Sequence, residues 1–149
     1  MSVRQADISA KRVIFRRATA TGRILLKPGT IDMIRDGTLE KGDPLSISKT
    51  MAILAVKRTP DLLALCHPLK IEHVEVVETV LEDSIVVSVT VSAHEKTGVE
   101  MEALTAVTVA LLNIWDVVKA YEKDKDGQYP ATKIEAVRVV EKVKRSGRA

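Results

Sequence analysis

A long run of almost uninterrupted apolar residues dominates the pattern of hydrophobic and polar positions along the chain. It spans residues 96–120, contains no proline and is rich in strong helix formers. Thr97 and Glu100 stand three residues apart at its start, which is the spacing of a capping box. The pattern therefore predicts one long helix. Because its middle is apolar on nearly all sides, we expect this helix to be buried or shared with another subunit.

Alternating apolar and polar residues predict strands on both sides of this helix. Residues 71–81 and 85–93 are separated by a short polar turn, which indicates a hairpin. Residues 11–27 contain a first strand, and residues 134–143 form a last one.

Two shorter helices are predicted between the first strand and the hairpin. Thr30 can cap the first of them, and Asp43 followed by Pro44 marks the start of a second that runs to about Lys57. The order of strand, helices, hairpin, long helix and strand predicts an α+β fold close to ferredoxin-like. In this fold the helices pack on one face of an antiparallel sheet. Without a repeat or a linker, we expect a single domain over residues 1–149.

Composition narrows the classes of function. The chain has 23 Lys and Arg against 20 Asp and Glu, a slightly positive balance that permits anionic ligands without demanding nucleic acid. One Trp, two Tyr and one Phe offer few stacking platforms for a single strand of nucleic acid. The lone cysteine, Cys66, excludes an internal disulfide and suits a reducing cytoplasm. No signal peptide or membrane-spanning run is evident, so no membrane partner is expected.

Charged side chains lie at both ends of the apolar long helix, where a purely structural helix would not need them. Glu100 and Glu102 lie at its entrance. Asp116 and Lys119 lie three residues apart near its exit, on neighbouring positions of one helix face. Outside a functional context, the second pair would be an ordinary surface ion pair.

Two basic residues and one histidine add candidate chemistry. Arg16 belongs to a crowded group of arginines that either forms a solvated edge or clamps phosphate. Lys41 precedes the amino end of the second helix, where anions collect. His67 precedes a proline, which disfavours helical geometry, so the imidazole is expected at a loop or strand entrance. With 3 His and one Cys at no recognisable spacing, no metal site is expected.

Three motifs, in this order, resemble the cyclic pyranopterin monophosphate synthases of molybdenum-cofactor biosynthesis. They are LCHPL at 65–69, KTGVEMEALTAV at 96–107, and an Asp-x-x-Lys pair at 116–119. The resemblance covers most of the chain, and the motifs together are highly specific. It implies a fold similar to the predicted one. It also implies a homohexamer, a trimer of dimers with sites between subunits, and no nucleic-acid partner.

The resemblance also implies a reaction and a set of residues. A cyclised dihydroguanosine triphosphate, made by a preceding radical enzyme, is rearranged to the cyclic pyranopterin with release of diphosphate, without a cofactor. This is a phosphorus–oxygen lyase reaction. Asp116 and Lys119 are implied to be catalytic. The positions implied to bind substrate are Leu65, Cys66, His67, Met101, Glu102, Glu100, Lys41, Arg16 and Lys144.

The C-terminal segment departs from the family pattern. Bacterial members often carry Gly-Gly-Lys-Ser-Gly near the end, whereas this chain reads KRSG at 144–147. Either Lys144 or Arg145 can fill the phosphate-binding role of the family's lysine. We expect residues 142–148 to form a mobile basic tail.

Helix geometry adds one inference. Glu102 and Asp116 are fourteen residues apart, which is roughly 20 Å at a rise of 1.5 Å per residue. A nucleotide-sized ligand hardly reaches both within one chain, so we expect the site to lie between subunits. Two alternatives stay open. A ferredoxin-like nucleic-acid binder leaves the acidic residues without a task, and a regulatory domain does not explain His67 or the Asp-x-x-Lys pair.

Overall fold

The computed structural model describes residues 1–146 and has the predicted α+β architecture. The sheet has four strands in the order β2-β3-β1-β4, and every neighbouring pair is antiparallel. The ferredoxin-like arrangement of sheet and helices is thereby confirmed. Its elements are β1 (Ile14–Leu25), α1 (Pro28–Asp36), α2 (Pro44–Leu62), β2 (His73–Val80), β3 (Ser84–Glu95), α3 (Glu100–Glu122) and β4 (Lys133–Arg145).

Alternation in the strands creates one face for the helices and one polar face. α3 packs across β1, β3 and β4, and α2 packs on α3 and β2. On the opposite face the side chains pair with one another, as in the 2.8 Å contact between the Thr19 and Thr90 hydroxyls. The inward side chains of the two central strands are almost fully buried, among them Ala18, Ala20, Ile24, Val87, Val89 and Val91.

The long helix is the core element that its apolar pattern predicted. Ala103, Ala106, Val107, Ala110 and Leu111 are all inaccessible to solvent. By length and composition alone α3 could also cross a membrane, a test that core helices of soluble proteins pass as well. In this fold its buried face lies on the sheet and on α2.

Gly22 sets how closely α3 approaches the sheet. A Cβ atom at this position would stand 2.9 Å from Val107 Cγ1, 2.9 Å from Val137 Cγ2 and 3.0 Å from Leu111 Cδ1. Contacts that short require the neighbours to move. The bare backbone of β1 is therefore the surface against which the middle of α3 packs.

The start of α3 differs from the prediction. The N-cap is Val99, and no side chain caps the first turn, so the capping box of Thr97 and Glu100 was wrong. Glu100 instead lies against Gly98 and pairs with Lys142 of β4 at 2.6 Å. The local sequence pattern predicted that the Glu100 carboxylate caps the helix, but it pairs instead with Lys142 from a distant strand.

The end of α3 explains a second difference. Glu122 is fully buried, and its carboxylate accepts hydrogen bonds from the Thr30 hydroxyl, the Thr132 hydroxyl at 2.6 Å and the Lys27 amide at 3.2 Å. Thr30 was predicted to cap α1. That helix instead begins at Pro28 with Lys27 as its N-cap, and the Thr30 hydroxyl donates to Glu122 rather than capping the helix.

The second helix starts where predicted and ends later. Asp43 caps α2 by accepting from the amides of Leu45 and Ser46. The helix continues past the predicted stop to Leu62, with Pro60 inside it. Proline removes one backbone donor, and so close to the helix end only a single hydrogen bond is lost.

The last strand reaches further than predicted. β4 ends at Arg145, and Lys144 lies opposite Arg16 in the antiparallel register with β1. The expectation of a mobile tail was therefore wrong for Lys142 to Arg145, because β1 offers a free edge with which they pair. Ser146 follows the strand without regular structure, and Gly147 and Arg148 lie outside the described residues.

Replacing Gly22 with alanine should lower the free energy of unfolding by about 1–3 kcal/mol, because the added Cβ overpacks the contact with α3. Guanidinium denaturation measures this change. Gly29→Ala is the matched control, because no atom lies within 4 Å of a Cβ at that helical position. Alanine is also the better helix former there. An undiminished stability of Gly22→Ala would contradict the close approach.

Candidate functional site

One cavity of about 540 Å³ gathers most of the predicted binding residues. It lies where the loop after α2, the start of α3 and the end of β4 meet, and we call it the entrance cleft. The predicted residues that line it are Arg16, Leu65, Cys66, His67, Glu100, Met101 and Lys144. Side chains from four separate stretches of sequence thus share one surface.

Arg16 is held at the wall of the entrance cleft by backbone carbonyls. Its Nε donates to the Glu95 carbonyl at 3.3 Å, and its Nη2 donates to the Lys96 carbonyl at 3.1 Å. The residue is only 5% exposed. Arg16 is therefore not part of a solvated edge, and its orientation is fixed before any ligand arrives.

Glu100 is an ionised carboxylate inside this cationic setting. Burial raises its pKa, but the hydrogen bond from Lys142 and the charges of Lys142 and Arg16 outweigh burial and leave the pKa below its usual range. The absence of a side chain at Gly98 makes room for the carboxylate. Glu100 thus fixes the position of a lysine ammonium in the cleft.

Glu102 and Cys66 form a buried acid–thiol pair behind the cleft wall. Glu102 is 2% exposed, and its Oε2 accepts a hydrogen bond from Cys66 Sγ at 3.4 Å. Burial raises the pKa of Glu102, and burial together with the charge of Glu102 raises the pKa of the Cys66 thiol to about 11. At neutral pH the thiol is therefore a hydrogen-bond donor and a poor nucleophile. Within residues 1–146, Glu102 Oε1 has no partner.

Asp116, Lys119 and Lys41 form a second group at the other end of α3, which we call the exit cluster. Lys119 Nζ lies 2.9 Å from Asp116 Oδ1, and Lys41 Nζ lies 3.5 Å from Oδ2 and 3.0 Å from the Asp116 carbonyl. The hydrogen bond and charge of Lys119, followed by the charge of Lys41, lower the pKa of Asp116. The same carboxylate raises the pKa of Lys119. All three side chains are well exposed to solvent.

The entrance cleft and the exit cluster are separate places on one chain. α3 runs as a single helix from Glu100 to Glu122, so Glu102 and Asp116 stand roughly 20 Å apart along it. The shallow depression beside Asp116 and Lys119 shares no lining residue with the entrance cleft. Of the residues predicted to bind substrate, Lys41 lies beside the predicted catalytic pair, whereas those that line the entrance cleft are not brought together with that pair in this chain.

Several residues of the entrance cleft were not singled out from the sequence. Lys142, Lys11 and Asp7 line it together with the predicted set. A signal existed for Lys142, since alternation along β4 places it on the same side as Lys144. Asp7 and Lys11 lie in residues 7–11, where the family resemblance begins, but they were not assigned a role. Among residues 1–146, no group of three or more His, Cys, Asp or Glu side chains is arranged to hold a metal ion.

Comparisons with known proteins find similar chains. The model of the MoaC family matches residues 5–145. A probable cyclic pyranopterin monophosphate synthase of Pyrococcus horikoshii is 57% identical over 142 residues, which cover 95% of this chain and 89% of the relative. A protein of the same name from Sulfurisphaera tokodaii is 51% identical over 138 residues, covering 93% and 91%. A relative from Methanothermobacter thermautotrophicus, named a probable accessory protein of the synthase, is 51% identical over 142 residues, covering 95% and 89%.

Glu102→Gln should lower the pKa of the Cys66 thiol, because it removes a negative charge that raises that pKa while leaving burial in place. Only the thiolate reacts, so alkylation by iodoacetamide should become several-fold faster below the midpoint of the pH profile. Cys66 is the one cysteine of the chain, so the modification is read directly by mass. Glu100→Gln is the control, since its carboxylate does not contact the thiol. Identical profiles for wild type and Glu102→Gln would argue against the pair.

Proposed function

This chain belongs to the MoaC family, and we propose how its residues carry out cyclic pyranopterin monophosphate synthesis. Family membership makes it an enzyme of molybdenum-cofactor biosynthesis. In the proposed reaction a cyclised dihydroguanosine triphosphate is rearranged to cyclic pyranopterin monophosphate, and diphosphate leaves. A nucleic-acid-binding or regulatory role is not favoured.

One observation carries the assignment of the entrance cleft as the substrate-binding part. Seven of the nine residues that the family resemblance implies to bind substrate come from β1, the loop after α2, the start of α3 and the end of β4, and these seven line a single cavity. A triphosphate carries several negative charges, and Arg16, Lys142 and Lys144 present the opposite sign there. Arg145 is the weaker candidate for the family's phosphate-binding lysine, because it lies over the Phe15 ring.

The catalytic part is supplied by a second subunit. The exit cluster cannot reach the entrance cleft of its own chain, because a continuous helix separates them. Its side chains are exposed and are therefore accessible to another subunit. We therefore place the exit cluster of one protomer against the entrance cleft of another, within a homohexamer built as a trimer of dimers. Both ends of α3 then serve catalysis, each in a different site.

The exit cluster holds one group that can accept a proton and one that can donate a proton. Asp116 is ionised and Lys119 is protonated, because each stabilises the charge of the other. Rearrangement of a purine-derived ring moves protons at several atoms, which such a pair can serve by general acid–base catalysis. Lys41 adds a positive charge that can stabilise departing diphosphate.

The free thiol of Cys66 suits the reducing environment of the cytoplasm, where we place this enzyme.

Asp116→Asn and Lys119→Ala should each lower turnover by at least roughly 100-fold, because each removes a proton-transfer group. Incubation with the cyclised triphosphate and an assay of diphosphate release measure the effect. The exposed loop variants Asp126→Asn and Lys125→Ala make the same changes of charge outside the cluster and should keep full activity. A fully active Asp116 or Lys119 variant with wild-type secondary structure would remove that residue from the catalytic pair.

Mixing two inactive variants tests whether the site is shared. Glu102→Gln alters the acid behind the wall of the entrance cleft and is expected to inactivate that half of the site, and Asp116→Asn is expected to inactivate the exit cluster. After subunit exchange at equal amounts, about one quarter of shared sites should receive an intact half from each chain and recover activity.

Two control mixtures show whether recovered activity comes from shared sites. A double variant, Glu102→Gln with Asp116→Asn, mixed with either single variant restores no site, because no pair of chains then supplies both halves. A site contained in one chain would give no recovery in the mixture of single variants either, and that result would overturn the shared site.

A further inference from the structure

The segment that precedes β1 lies over the entrance cleft although it contains neither helix nor strand. We call residues 5–11 the arm. Ala6, Asp7, Ile8 and Lys11 all belong to the lining of the cleft. A terminal segment that only frayed at the surface would not contribute a wall to the cavity that holds the family's binding residues.

The arm is fastened to the loop after α2 through His67. The Nε2 atom of His67 lies 2.9 Å from the Ala6 carbonyl oxygen. A carbonyl oxygen can only accept, so Nε2 must carry the hydrogen and donate it. The Gln5 side chain makes a longer contact, 3.5 Å, with the Leu65 carbonyl of the same loop. The histidine of the LCHPL motif is thus engaged by the backbone of the arm.

A second attachment lies on the other side of the cleft. Lys96 Nζ donates to the Ser9 carbonyl at 3.4 Å, just before the turn that leads into α3. Asp7 shapes the arm by accepting from the Ser9 amide at 2.9 Å, and the Lys11 amide donates to the Ile8 carbonyl at 3.0 Å. The arm therefore bridges the two loops that border the cleft and ends in a tight turn at Lys11.

The turn brings another cation to the phosphate-binding wall. Lys11 lines the cleft with Arg16, Lys142 and Lys144. Lys142 is committed to Glu100 at 2.6 Å, whereas Lys11 makes no ion pair in the part of the chain that the structure describes. An anion in the cleft would therefore find the Lys11 ammonium without a competing carboxylate.

We propose that the arm is part of the substrate site, that His67 positions it through the Ala6 carbonyl, and that Lys11 binds a phosphate group of the substrate. This inference rests on the proposed function, since it names further groups for the same cleft. It gives His67 a positioning role and makes residues before the first strand necessary for affinity.

The first experiment measures binding of inorganic diphosphate to the assembled protein by calorimetry at low salt. Lys11→Ala should weaken binding roughly tenfold, the effect of losing one charge-assisted hydrogen bond. Arg4→Ala is the matched control, because it removes the same charge just before the arm from a residue outside the cleft lining, and its affinity should stay unchanged. Equal affinities of Lys11→Ala and wild type would overturn the role of Lys11.

The second experiment tests the contact between His67 and the Ala6 carbonyl, which we call the latch. It measures hydrogen exchange of the amides of residues 5–9. His67→Ala should speed their exchange, while His67→Gln, whose amide nitrogen can donate from nearly the same place, should restore protection. In the turnover assay His67→Ala should raise KM more than it lowers kcat, with partial rescue by the glutamine. Unchanged arm exchange in His67→Ala would overturn the latch.

Different results would refute the proposed function and the role of the arm. Wild-type protein that neither binds diphosphate nor turns over the cyclised triphosphate would refute the proposed function. Wild-type protein that does both, with Lys11→Ala and His67→Ala indistinguishable from it, would refute only the role of the arm.

Discussion

The packing of α3 against the bare backbone of β1 is the constraint on which the rest of this structure depends. With Gly22 beneath Val107 and Leu111, the apolar body of the helix is pressed onto the sheet and held as one continuous rod. A rod fixes the separation of its ends. The acidic entrance and the Asp116–Lys119 pair at the exit therefore cannot approach each other in one chain, and for this reason the proposed site requires a second subunit.

Three carboxyl groups on this one helix show how surroundings decide what an acid does. Glu122 is fully buried and is satisfied by donors from Lys27, Thr30 and Thr132, which makes it a structural tie. Glu102 is almost as deeply buried, and within residues 1–146 its side-chain donor is the Cys66 thiol, so burial favours its neutral form. Asp116 is exposed and lies between two lysines, which favours its charged form. The sequence positions alone do not distinguish these three roles.

The parts of the fold predicted from sequence are those with a periodic signal. Strand alternation and the apolar run located the sheet and α3, whereas helix boundaries failed wherever a distant partner took a local capping group. Glu100 forms an ion pair with Lys142, and the Thr30 hydroxyl donates a hydrogen bond to Glu122. Motif resemblance assigned a role to seven of the fourteen residues that line the cleft, but not to Lys11, because only the folded arm brings it there. The catalytic roles of Asp116 and Lys119 stay predictions.

Assembly would do more than complete the list of residues. As an exposed pair, Asp116 and Lys119 are in direct contact but surrounded by water, where such ion pairs contribute little to stability. Covering them with the entrance cleft of another protomer removes water, strengthens every charge–charge interaction, and disfavours charged forms that lack a partner. The proton affinities of the pair would then depend on the phosphates and cations of the opposing cleft. A catalytic couple that is inert on the surface of one chain would thus reach its working state only in a closed site containing substrate, which restricts the chemistry to the assembled enzyme.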